Sequence, residues 1–88
     1  MIAKTVRIKN HLGIHARPAA LIVKEAAQYT ADIYLSKGET QRINGKSIMG
    51  VMMLAAEEDS EVLVEAEGED DVVAVENIAN LLESNFEV

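Results

Sequence analysis

The chain has 88 residues, no cysteine and a net charge of −7 at pH 7. That length holds one core, so a single domain over 1–88 is expected, too small to enclose a deep pocket around a large substrate. The missing thiols exclude disulfides, a thiolate zinc site and a cysteine nucleophile, and the negative balance argues against direct nucleic-acid binding.

The charges are unevenly placed. All eight Lys and Arg lie between Lys4 and Lys46, where residues 1–56 carry only three acids, Glu25, Asp32 and Glu39. Residues 57–88 hold the other twelve acids and no base. A basic surface on the first half, suited to steering a partner, is therefore expected beside an acidic second half. No apolar run approaches the roughly 18 residues that a membrane span needs. The start, Met1 to Arg7, alternates and is charged, unlike a signal peptide. A cytoplasmic location without membrane insertion is expected.

Ile2, Val6 and Ile8 alternate with Thr5, Arg7 and Lys9 as a half-buried strand. Asn10 to Gly13 breaks it. Pro18 suits a first helical turn, where its missing N–H has no partner to lose. A helix is expected over Ala19 to Tyr29, with an apolar stripe of Ala19, Ile22, Val23, Ala26 and Tyr29. Ala31 to Lys37 alternates again, with Ile33 and Leu35 on one face and Asp32, Tyr34 and Ser36 on the other. After a turn at Lys37–Glu39, Thr40 to Asn44 forms a short strand with Ile43 inward. Ser47 is a natural N-cap for a short helix from Ile48 to about Leu54. Val62, Val64 and Ala66 mark a strand with one wet face, ended by Gly68. Acids at 69–71 precede a last helix, where negative charge is favourable. Its stripe reads Val72, Val75, Ile78, Ala79, Leu82 and Phe86. The order β-α-β-β-α-β-α with one polar face per strand predicts an α+β fold: a four-stranded antiparallel sheet with three helices on one face.

Chemistry concentrates in Gly13-Ile14-His15-Ala16-Arg17-Pro18. His15 falls at a loop-to-helix junction, where free N–H groups and the helix dipole bind anions. A neutral imidazole is a competent nucleophile toward phosphorus, and the planar Arg17 guanidinium can pair with phosphoryl oxygens. A lone loop histidine is more often a polar surface residue, and the residues alone leave both readings open. His11 has no cation beside it. A metal site from His11 and His15 would lack a nearby acid, so neither metal nor cofactor is expected. Ser47 alone reads as a helix cap. The run Ile48 to Leu54 is apolar all round, so part of it must face outward, and adaptable Met suits a surface that binds several partners. Ile48, Met49 and Met52 are expected partly outward, with Ala20, Leu21 and Lys24 extending the surface and Arg17, Lys24 and Lys46 rimming it.

Gly13-Ile14-His15-Ala16-Arg17-Pro18-Ala19 resembles the active-site signature of the HPr family, the histidine-containing phosphocarriers of the bacterial phosphotransferase system. Asn44-Gly45-Lys46-Ser47-Ile48-Met49-Gly50-Val51-Met52 resembles that family's regulatory segment, and length and element order match throughout. The resemblance implies an open-faced two-layer β-α-β-β-α-β-α sandwich. It implies that His15 accepts phosphate on Nδ1 from phosphorylated enzyme I and gives it to enzyme IIA domains in sugar uptake, with Arg17 stabilising the group in transit. Such a chain is a phosphoryl-transfer intermediate rather than a stand-alone enzyme. Ser47 matches the serine modified by HPr kinase/phosphorylase, which brings in a catabolite-control transcription regulator as a further partner. A nitrogen-branch carrier and a purely regulatory binding module are the alternatives. The catabolite-repression paralogue lacks the active histidine that this chain has. Where family members often carry Gly after the second helix, this chain has Glu58-Asp59-Ser60, and Asp tolerates the left-handed conformation.

Overall fold

A computed structural model describes residues 1–84. Phe86, expected to close the last helical stripe, lies outside them. The elements are β1 (Ile2–Arg7), α1 (Ala16–Ala26), β2 (Asp32–Lys37), β3 (Thr40–Asn44), α2 (Ile48–Met53), β4 (Glu61–Glu67) and α3 (Asp71–Glu83). The four strands form one antiparallel sheet in the order β1-β4-β2-β3. The helices pack on the face that carries the inward residues of the strands, giving the expected α+β open-faced sandwich.

Alternation decides which face is dry. Val62, Val64 and Ala66 of β4 are buried, as are Ile33 and Leu35 of β2, while Glu61, Glu67 and Asp32 stay wet. Ile22, Ala26, Val75, Ile78, Ala79 and Leu82 meet them from the helices. Two inward assignments fail. Ile2 is exposed at the free end of edge strand β1. Val72 is 58% exposed, because the buried positions of α3 centre roughly a quarter turn away from it, with Ala74 taking part instead. Ser36, expected on the wet face, is buried at a bulge, where its Oγ accepts the Arg42 N–H at 2.8 Å.

α1 starts earlier than expected, at Ala16, with Pro18 as its third residue. Any first-turn position suits proline, so Pro18 bounds the start only loosely. The helix stops at Ala26, and Tyr29 lies beyond it. The Tyr29 hydroxyl donates to Glu25 at 2.5 Å and accepts from Asn77 at 2.6 Å, joining α1 to α3. Burial and the Glu25 carboxylate push that hydroxyl above its usual range. Asp70, before α3, accepts N–H groups of Thr30 (2.9 Å) and Ala31 (2.8 Å).

The sheet order also redistributes charge. Bases of the first half meet acids of the second: Arg7 of β1 meets Glu61 of β4 at 3.1 Å, Arg42 of β3 reaches across β2 to Glu65 of β4 at 3.2 Å, and Lys4 of β1 meets Glu76 of α3 at 3.9 Å. Lys46 Nζ donates to the Tyr29 carbonyl at 2.7 Å, and Lys37 Nζ to those of Leu54 and Ala55 at 3.2 and 3.0 Å. Three of the eight bases expected to make the first half basic are therefore paired with acids, while Lys37 and Lys46 keep their charge on neutral carbonyls. Among the described residues Lys9, Arg17 and Lys24 are the cations left without a carboxylate or carbonyl partner.

Candidate functional site

The turn before α1 is held by backbone geometry that its sequence explains. Gly13 has φ +70, and a Cβ there would lie 2.5 Å from the Ala56 carbonyl oxygen. Only glycine permits both the left-handed turn and that approach. The approach is used: the Ile14 N–H donates to the Ala56 carbonyl at 2.9 Å. Asn10 Nδ2 donates to the Gly13 carbonyl at 2.7 Å, and the Gly13 N–H donates back to the Asn10 carbonyl at 2.9 Å. Two further bonds, Ile8 N–H to the Ser60 carbonyl and Asp59 N–H to the Ile8 carbonyl, clamp the strand end to the loop after α2. Ile14 is buried beneath this clamp.

The next residue, His15, is the N-cap of α1, with extended backbone. Its carbonyl accepts the Ala19 N–H at 2.9 Å, but its side chain makes no capping bond and the residue is exposed. The imidazole is thus held by its backbone and left free at its ring. Ala16 and Arg17 supply first-turn N–H groups without intrahelical acceptors, whereas Pro18 supplies none. No acid lies in that turn. Arg17 is exposed and, among the described residues, in no ion pair. A ring, two amides and a guanidinium are therefore exposed within the same helix start, a set of groups that favours a doubly charged anion. The described residues form no pocket.

His11 has a partner of its own. Its Nδ1 lies 3.2 Å from Glu58 Oε1, an acid distant in sequence, and no group of metal-ligating side chains occurs among the described residues.

Ser47 caps α2 as expected, its Oγ accepting the Gly50 N–H at 3.1 Å. Asn44 Oδ1 accepts the Lys46 N–H at 2.9 Å, tightening the preceding turn. α1 and α2 pack on each other. Ala20 and Lys24 are exposed on the one and Ile48, Met49 and Met52 on the other, while Leu21 is half-buried between. Met53 is exposed as well and was not among the expected residues; its position four after Met49 was the available signal. Lys46, expected at the rim, is half-buried and its ammonium donates to the Tyr29 carbonyl.

The sequence from residue 2 to 84 matches the family model described as the PTS HPr component phosphorylation site. The chain is 48% identical over 87 residues to phosphocarrier protein HPr of Treponema pallidum, covering 99% of this chain and 98% of the relative. It is 43% identical over 79 residues to the HPr-like protein Crh of Bacillus subtilis, covering 90% and 92%. The fold superposes on a crystal structure of HPr-C-His from Thermoanaerobacter tengcongensis with a TM-score of 0.89 at 40% identity, covering 98% of this chain and 96% of that one. The chain belongs to the HPr family of phosphocarrier proteins.

Proposed function

We propose that this protein carries a phosphoryl group on His15 between enzyme I and enzyme IIA domains of sugar uptake. The observation that supports this most directly is the freedom of the His15 ring at a helix start beside Arg17. The Nδ1 lone pair attacks phosphorus while the bond from phosphorus to the donor breaks and the donor keeps its electron pair. The Arg17 guanidinium and the Ala16 and Arg17 amides receive the phosphoryl oxygens and stabilise charge there. Donor and acceptor must both reach the same nitrogen, so an open site at the surface suits a carrier better than a pocket. Ala20, Leu21, Lys24, Ile48, Met49 and Met52 form the docking surface. Incubation with enzyme I and phosphoenolpyruvate tests the proposal. An acid-labile, base-stable phosphate is expected, absent in His15→Ala and slowed in Arg17→Ala; no label on the native chain refutes the carrier.

A second reading rests on the likeness to Crh and on the Ser47 cap. In it, HPr kinase/phosphorylase modifies Ser47 and the α2 surface docks a transcription regulator. An acid-stable phosphate on Ser47 after incubation with that kinase and ATP supports it, and the two readings are compatible in one protein.

A further inference from the structure

We propose that Met49, Met52 and Met53 form an oxidation-sensitive patch, in which conversion of the thioethers to sulfoxides by a peroxide switches off docking at α2. The inference rests on the carrier reading and concerns the regulation of its docking surface.

Three of the four methionines lie within five residues of one helix. Met49 is 77% exposed, Met53 66% and Met52 44%. At ~100° per residue, Ile48, Met52, Met49 and Met53 occupy an arc of roughly 140°, and buried Val51 and Leu54 lie on the opposite side. The thioethers therefore meet solvent without any opening of the fold. No cysteine competes for oxidant anywhere in the chain. In the reaction the sulfur lone pair attacks one peroxide oxygen, the O–O bond breaks, and the other oxygen leaves as water after proton transfer. Sulfur is oxidised by two electrons and the peroxide is reduced by two. A flexible apolar side chain becomes a polar one bearing a strong acceptor. The three products stand on the contact arc, where an approaching apolar surface would have to desolvate each new acceptor without supplying a donor. The core is untouched, since Val51 and Leu54 carry the packing of α2.

Met1 supplies an internal control. It is 62% exposed, as open as the α2 methionines, but lies ahead of edge strand β1. The intact chain is treated with hydrogen peroxide, sulfoxides are quantified at each methionine by peptide mass spectrometry, and phosphoryl transfer from phosphorylated enzyme I is then measured. Met49 and Met53 should oxidise about as fast as Met1, and Met52 more slowly. Transfer at limiting concentration should fall on the order of tenfold through KM, with the thermal transition kept, and a methionine sulfoxide reductase should restore it. Each variant is compared with its own untreated sample. Met1→Leu should remain fully sensitive, whereas the volume-conserving M49L/M52L/M53L variant should show a treated-to-untreated ratio near one. Unchanged transfer by fully oxidised protein overturns the proposal, as does equal loss in the triple variant. Untreated protein that accepts no phosphoryl group instead overturns the carrier reading, and this one with it.

Discussion

The seat of the His15 loop is testable by adding one methyl group. In Gly13→Ala the new Cβ would stand 2.5 Å from the Ala56 carbonyl oxygen and 3.0 Å from the Glu57 Cα, both backbone atoms that cannot rotate away. Gly38 is the matched control: its φ is +55 against +70 at Gly13, and a Cβ there would meet nothing within 4 Å. Gly38→Ala carries only the left-handed penalty, about 1 kcal/mol. Gly13→Ala adds a forced shift of backbone, about 2 kcal/mol by analogy with overpacking, for a total near ~3 kcal/mol. A small domain stable by 5–15 kcal/mol survives that, as a rough rule. Urea unfolding of the three proteins should give midpoints in the order native, Gly38→Ala, Gly13→Ala, with similar slopes. If the shift displaces Ile14 from Ala56, phosphorylation of His15 should slow in Gly13→Ala and not in Gly38→Ala. Equal midpoints for the two variants would refute the claim that the Ala56 contact constrains this loop.

Ser47→Ala removes the α2 cap and should cost about 1 kcal/mol, read as a Tm lowered by roughly 4–8 °C. Ala55, just past α2, holds φ +49 without being glycine; Ala55→Gly relieves that strain and should raise stability by about 0.5–1 kcal/mol in urea titration. The backbone N–H of Thr30, then those of Ala31 and the Thr30 hydroxyl, hold the Asp70 carboxyl below the ordinary value of 3.8 against a smaller opposing effect of desolvation. A depressed folded pKa means stability that is complete above the unfolded value and lost as pH falls through the folded one. Asp70→Asn should therefore unfold at lower urea than the native chain at pH 7, and the gap should close as pH drops below about 4. Ser47→Asp should raise KM for phosphorylated enzyme I while leaving kcat near its native value; a lower kcat at unchanged KM would contradict a docking effect.

Local signals were the legible ones. The alternation of Val62, Val64 and Ala66 identifies β4 and its dry face because both come from one period-two rule. Ser47 reads as a cap because the cap acts within three residues. Asp59 was expected to tolerate a left-handed backbone where relatives use glycine, and its φ is +71. Long-range consequences were not legible. Bases and acids are split along the chain, yet the pairing of β4 with β1 sets Glu61 on Arg7, and Arg42 of β3 reaches over Tyr34 of β2 to Glu65 of β4. Lys4 finds Glu76 of α3, and Lys37 and Lys46 find backbone carbonyls, all distant in sequence. The residues at the candidate site were visible as a motif, but its support was not: nothing near Gly13 in sequence announces the Ala56 carbonyl. Val72 shows the complementary failure, since its spacing to Val75 suits the stripe while its rotation about the helix axis does not.

α2 connects the two residues proposed to carry phosphate, and magnitudes indicate how. Ser47 is its N-cap, and its C-terminal end runs through strained Ala55 to the carbonyl that seats Ile14, next to His15. A conformational signal along this path would have to move a helix whose cap is already satisfied and whose Val51 and Leu54 are fully packed. A phosphate on the cap strengthens that geometry rather than releasing it. Electrostatics asks less of the fold. A phosphate brings roughly −1.5 to −2 charges to the edge of an apolar arc beside Ile48 and Met49. Against an acidic partner, each unit pair costs about 1 kcal/mol at 4 Å in water and several times that once the interface dries. Two charges would therefore weaken docking to such a partner by one or more orders of magnitude without touching the imidazole. Arg17 and Lys24, on α1 beside α2, stand in no ion pair among the described residues of a chain of net −7. They would favour the approach of a partner with an acidic face, and a phosphate at Ser47 would oppose it.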